Sequence, residues 1–123
     1  MRTIIETGLP DIGQPFSWAT SGGGMLFTAH GPVKKSGSIE TGEAEKQIRL
    51  TFDNLSATLK AANSHSDNVL QVIVYLTDVK YVKLLDSIYR DYFDAPYPNR
   101  STVIVDKLVV PEMIIEITVS AIA

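Results

Sequence analysis

Between residues 43 and 62 the apolar positions Ala44, Ile48, Phe52, Leu55 and Leu59 recur at spacings of three and four, which lines one face of a helix. This predicts a first helix from about Glu43 to Ala62, with Thr41 as its N-cap. A second stripe, Val82, Leu85, Tyr89 and Tyr92, predicts a helix from about Val79 to Phe93, capped by Asp78 and ended by the Pro96 and Pro98 pair. Elsewhere the period is two. Leu70, Val72, Val74 and Leu76 form one aliphatic strand face, opposed by the mixed set Gln71, Ile73, Tyr75 and Thr77. In the closing run Ile115, Ile117, Val119 and Ala121 alternate with Glu116, Thr118, Ser120 and Ile122, and Val103 and Val105 oppose Arg100, Thr102 and Ile104. Near the N-terminus Ser17-Trp18-Ala19-Thr20 and Met25-Leu26-Phe27-Thr28-Ala29 flank Ser21-Gly22-Gly23-Gly24, two strands joined by a glycine-rich reversal.

The order strand, strand, helix, strand, helix, strand, strand predicts an α+β sandwich, a mostly antiparallel sheet with two helices on one face. The aliphatic strand faces should meet the helices. The other face mixes Ile73, Tyr75, Ile104 and Ile122 with Arg100, Thr102, Thr118 and Ser120, a blend expected where a sheet packs against another subunit. A homo-oligomer is the expectation.

Composition narrows the picture. At 123 residues, 45% hydrophobic and 20% charged, the chain reads as one globular domain spanning 1–123. It has no cysteine, so disulfides and thiolate metal sites are excluded, and its two isolated histidines, His30 and His65, have no ligand spacing; no metal or other cofactor is expected. The opening Met1-Arg2-Thr3-Ile4-Ile5-Glu6 lacks the apolar core of a signal peptide, and no apolar run approaches the ~18 residues that span a bilayer, so the expectation is a soluble cytoplasmic protein without a membrane partner. A net charge of −3 argues against a nucleic-acid footprint. The glycine cluster lacks phosphate-loop spacing and precedes a strand rather than a helix, which sets nucleotide binding aside.

Arg100 stands out. It follows Ala95-Pro96-Tyr97-Pro98-Asn99 and opens the run Ser101-Thr102-Val103-Ile104-Val105, so a permanent charge sits where a strand begins. A guanidinium holds both oxygens of a carboxylate in one planar fork, which suits carboxylate recognition; the plainer alternative is a surface ion pair.

The chain resembles the RidA/YjgF (L-PSP) family of reactive-intermediate imine deaminases, as a divergent member. The resemblance runs nearly end to end, through Ile12-Gly13 with Pro15-Phe16, Met25 to Thr28, Gln47-Ile48-Arg49 with Phe52 to Leu55, Val72 to Asp78, Tyr89 with Tyr92-Phe93, Pro98-Asn99-Arg100-Ser101 and the closing Ala121-Ile122-Ala123. It implies a chorismate-mutase-like fold and a homotrimer whose sheets form a central barrel, with clefts at the subunit interfaces. It also implies that Arg100 grips the carboxylate of a 2-imino acid, helped by the Thr102 backbone N–H, with Phe16, Tyr92 and Ala29 at the substrate. The products would be a 2-oxo acid and ammonia, without a cofactor.

Several positions depart from that pattern. The glutamate that active relatives carry in the final strand is matched, counting back from Ala121-Ile122-Ala123, by Ser120, which can hydrogen-bond a water but cannot act as a carboxylate base. Phe16 stands for a tyrosine, Ala29 for a serine, Thr102 for a cysteine and Asp86 for an asparagine. Glu116 shares the Ser120 strand face but lies roughly 13 Å away by strand rise, so it reads as an interface or rim charge. His30 reads as a loop histidine bonded to backbone, or as an acid or base entering the cleft. Two readings of function follow: an imine/enamine deaminase whose substrate range has shifted, with Arg100 and Ser120 as its catalytic pair, or a non-catalytic trimer that binds a small carboxylate. An endoribonuclease is disfavoured by the acidic balance.

Overall fold

The computed structural model describes all 123 residues. Helix α1 spans Ala44–Ala61 and buries Ile48, Phe52, Leu55 and Leu59, the stripe anticipated from spacing. Its N-cap is Glu43 rather than Thr41. The Glu40 carboxylate accepts the Gly42 N–H at 3.0 Å and holds this lead-in out of the helix, so Thr41 falls short of the first turn. Three buried polar residues share the stripe, Gln47, Thr51 and Thr58. Each is satisfied; the Gln47 amide donates to the Glu112 carbonyl and accepts from the Ile114 N–H, both at 2.9 Å, which ties the approach to the last strand onto the helix.

Asp78 does cap, accepting from the Lys80 N–H at 2.8 Å at the head of a single 3-10 turn, Val79–Tyr81. Helix α2 follows over Val82–Tyr89 and stops short of Phe93. Beyond it the helix relaxes into a turn, with the Tyr92 and Phe93 N–H groups both donating to the Tyr89 carbonyl at 3.0 Å. The Phe93 ring then packs 4.7 Å from Tyr89, four residues back.

Six strands form one sheet: β1 Thr3–Ile4, β2 Ala19–Gly22, β3 Met25–His30, β4 Val69–Leu76, β5 Asn99–Ile104 and β6 Ile115–Ile122, in the order β1-β2-β3-β6-β4-β5. All neighbours are antiparallel except β4 and β5, which are parallel. The β2–β3 hairpin closes through Gly23 and Gly24, both at positive φ (58° and 80°), the pair that a two-residue turn between twisted strands requires. The two-residue β1, pairing Thr3 and Ile4 with Ser21 and Thr20, carries no sequence periodicity and was not anticipated.

Two face assignments are corrected. A register shift between Val69 and Gln71 makes Val69 the buried partner of Val72, Val74 and Leu76, and turns Leu70 out to 47% exposure. On β5 the faces are reversed. Arg100 pairs with Val72 and Thr102 with Val74, both on the helix-covered face, whereas Ser101 and Val103 pair with Ile73 and Tyr75 on the open face. Cross-strand partners share a face, so Arg100 lies on the helix side of the sheet. The open face carries Phe27, Ile73, Tyr75, Val103 and Ile122, with Phe27 51% exposed. No element of the chain covers it.

Candidate functional site

Arg100 sits on β5, the edge strand, opposite the C-terminal half of α2. Its Nη2 donates to Asp86 Oδ1 at 2.6 Å, and its guanidinium lies 4.8 Å from the centre of the Tyr89 ring. Asp86 and Tyr89 are three residues apart on α2, hence on one helix face, and together they fix the arginine by charge and by stacking. This is a part-buried ion pair, with side-chain exposures of 23% and 38%. Only one of the five guanidinium N–H groups is used, so most of the fork is left for an anion. Beside it lies a pocket of about 280 Å³ lined by Asp86, Tyr89, Arg90, Tyr97, Pro98 and Arg100. The Tyr89 hydroxyl is buried there without a hydrogen-bond partner. Burial pushes its pKa up to about 12 against the opposing pull of Arg100, so it is a neutral phenol with a proton to donate.

The Val105 N–H donates to the Leu76 carbonyl at 2.8 Å, so that residue's amide points toward β4. Strand alternation carried back from Val105 aims the Thr102 N–H the other way, to the open sheet edge. An unpaired backbone donor thus stands two residues from Arg100.

A second hollow, also about 280 Å³, lies away from the β5 edge, at the end of β3 and the start of β6, among Phe16, Trp18, Ala29, His30, Gly31, Val109, Val110, Met113 and Glu116, with Ile12, Gln14, Ser17, Val33 and Ile39. Phe16 meets Trp18 edge to face at 4.8 Å, and the Trp18 indole N–H is held by the Pro10 carbonyl at 2.9 Å. Glu116 is the single acid in this lining. It is half-buried and takes no part in the ion pairs of the chain, which join Arg49 to Glu45 and Asp91, His65 to Asp67, and Arg100 to Asp86. Burial alone pushes its carboxyl above the usual glutamate range.

His30 is corrected from a loop residue to the last residue of β3, 1% exposed. Its Nε2 meets the Thr28 and Thr58 hydroxyls at 2.9 and 2.8 Å, while Nδ1 is buried without a partner. Burial lowers its pKa to about 4, so it is neutral at ordinary pH. His65 stays exposed and accepts the Asp67 N–H at 3.1 Å.

Within one chain the expected site residues fall into separate groups. Arg100 and Thr102 stand at the β5 edge, and Phe16 and Ala29 line the far hollow. The row Arg100, Val72, Val119, Thr28 crosses the sheet, so the Ala29 strand is three strand spacings, about 14 Å, from the arginine. Ser120 lies mid-sheet on the open face, paired with Phe27 and Gln71, and lines neither hollow. Tyr92 is elsewhere again; its hydroxyl donates to Asp53 Oδ1 at 2.6 Å and its ring packs 5.4 Å from Phe52, joining the turn after α2 to α1. Glu116, expected as an interface or rim charge, shares the hollow with Phe16 and Ala29. No cluster of three or more metal-binding side chains occurs, and no helix is long and apolar enough to cross a membrane.

An edge-strand arginine on a two-helix, six-stranded α+β sheet defines a class that comparison makes specific. The model of the Endoribonuclease L-PSP family matches residues 9–123. The chain belongs to this family, the RidA/YjgF group. It is 32% identical over 114 residues to TdcF of Escherichia coli, named as a reactive intermediate deaminase, covering 88% of each chain. The mitochondrial protein mmf2 of Schizosaccharomyces pombe is 29% identical over 107 residues, or 87% of this chain and 85% of that protein. The structure of YyfA from Yersinia pestis, of the Rid family, superposes with a TM-score of 0.92 at 28% identity over all of both chains. TdcF with bound serine superposes at 0.88 with 29% identity, covering 98% of each. These neighbours share the chorismate-mutase-like fold, which the chain therefore has.

Proposed function

We propose that this protein hydrolyses 2-imino acids and their enamine tautomers to 2-oxo acids and ammonia, with Arg100 as the carboxylate anchor. The observation that carries the reading is the arginine itself, oriented by Asp86 and Tyr89 at a sheet edge with most of its donors unused. The Thr102 N–H beside it adds a second donor. The name of TdcF supports the reaction, and its bound serine, a small amino acid, supports a carboxylate ligand. The chemistry asks little of the protein, since an imine already hydrolyses in water; holding the carboxylate and placing a water and its proton supplies the acceleration.

Phe16 and Ala29 complete the cleft in this reading, but from a second copy of the chain, because in one copy the Ala29 strand lies about 14 Å from Arg100. A homotrimer packed through the open sheet face, where Phe27, Ile73 and Val103 lie uncovered, would supply that copy. Tyr92 takes no part, its hydroxyl being committed to Asp53. Ser120 can hold a water but cannot take its proton, so a base must come from elsewhere. The lack of cysteine fits a reducing compartment such as the cytoplasm; with a relative named as mitochondrial, cell fractionation is the check.

The test follows the decay of 2-iminopropanoate and bulkier imino acids, generated by an amino-acid oxidase, with wild type and Arg100→Ala. Wild type should accelerate decay, and the variant should lose about 100-fold in kcat/KM, the worth of a charge-assisted pair of hydrogen bonds. Carboxylate binding without acceleration for any imine would sink the deaminase and leave a binding trimer.

A further inference from the structure

We propose that Glu116, rather than Ser120, is the catalytic acid–base residue of this chain. The inference rests on the deaminase reading and names the group which that reading lacks. Three observations carry it. Glu116 borders the same hollow as Phe16 and Ala29, two of the residues expected at the substrate, whereas Ser120 does not. It is the one acid in a lining otherwise built from residues such as Trp18, Val109 and Met113. It has no ion-pair partner in the chain, in contrast to Asp86. A half-buried carboxyl facing apolar walls has given up hydration without gaining a partner, a cost that a ligand or a water can offset.

Burial also tunes the group. Its raised pKa brings the carboxyl nearer to neutral pH, where one residue serves as base and then as acid. The nearby titratable groups leave that assignment undisturbed. His30, in the same lining, is held neutral with its Nε2 occupied by Thr28 and Thr58, and Tyr75 is the cross-strand partner on β4.

The steps balance. Water attacks C2 of the iminium while Glu116 takes one of its protons and the C=N pair moves onto nitrogen, which gives the carbinolamine. Glu116 returns that proton to nitrogen. The C–N bond then breaks with its pair leaving on ammonia, a hydroxyl lone pair closes the C=O, and the hydroxyl proton passes through Glu116 to ammonia, which departs as ammonium.

The experiment measures kcat and KM for oxidase-generated imines with wild type, Glu116→Gln, Glu116→Ala and Ser120→Ala. The expected result is a fall in kcat of at least about 100-fold for Glu116→Gln with KM little changed, a larger loss than for Ser120→Ala, and partial recovery of Glu116→Ala by added formate. An active wild type with an equally active Glu116→Gln overturns the inference and leaves the deaminase reading intact. A loss that formate does not rescue assigns the residue a structural role and also overturns it. An inactive wild type removes both.

Discussion

The two hollows handle charge in opposite ways. At the β5 edge, Arg100 is met inside the chain by Asp86 and by the face of Tyr89, so the cation is oriented before any ligand arrives. In the far hollow, Glu116 stands among apolar side chains with no counter-charge. Pre-pairing suits the first to the recognition role proposed for it, because an oriented guanidinium loses less freedom when it binds. Isolation makes the second a proton-handling element, because an unpaired carboxyl shifts toward the pH at which it can both accept and donate. In the proposed reaction neither hollow would suffice alone. A neighbouring copy would have to join the β5 edge to the hollow at β3 and β6.

The sharpest way to separate the two regions is acid. His30 beside the second hollow is neutral and buried, its folded pKa of about 4 lying below the ordinary 6.5. A depressed folded pKa means that the unfolded chain binds the proton more readily. The stabilisation is therefore complete above about pH 6.5 and is lost as pH falls toward 4. Its full size is about 3 kcal/mol by the usual conversion. Urea unfolding midpoints should drop across this window in wild type and much less in His30→Gln, while Arg100→Ala should leave the window unchanged. A wild-type midpoint that is flat from pH 6.5 to 4 would contradict the buried neutral imidazole.

The same contrast explains what sequence patterning could and could not deliver. The α1 stripe, the β6 alternation and the Gly23-Gly24 reversal were legible because each is decided by local period and by backbone freedom. Arg100 was legible as a residue but not as a direction. Its face depends on a parallel register with β4, and a short edge strand with apolar residues of both parities does not reveal that register. Leu70 misled because a bulge breaks parity without a sequence mark. His30 carried a usable signal, since Leu26, Thr28 and His30 continue one buried alternation past the point where the strand was expected to end. Glu116 carried none; its surroundings come from residues near 16, 30 and 110, brought together only by the fold.

A smaller effect probes the pre-paired edge. Asp86 shares Arg100 with any incoming carboxylate and repels it, so Asp86→Asn should tighten carboxylate binding. A pair this accessible contributes about 1 kcal/mol at most, which is a gain of up to about five-fold in Kd by calorimetry. Asparagine retains a hydrogen-bonding oxygen for the Nη2 donor, so the arginine should stay in place. Weaker binding in the variant would mean that orientation by the charged pair outweighs competition from it.

The smallest effect belongs to the isolated carboxyl and tests it apart from catalysis. Glu116 has a raised folded pKa, so the native state holds its proton more tightly than the unfolded chain does. Ionisation therefore costs stability as pH rises through the folded value, and the cost disappears in acid. Glu116→Gln removes the charge at constant shape. It should be more stable than wild type at pH 7 by a few tenths of a kcal/mol, the scale for a group that solvent still reaches, and equal to it near pH 4. Arg100→Ala should show no such crossover, because the edge hollow balances its charge within the chain. If Glu116→Gln is instead less stable at pH 7, the carboxylate has a favourable partner and the contrast between the two hollows fails.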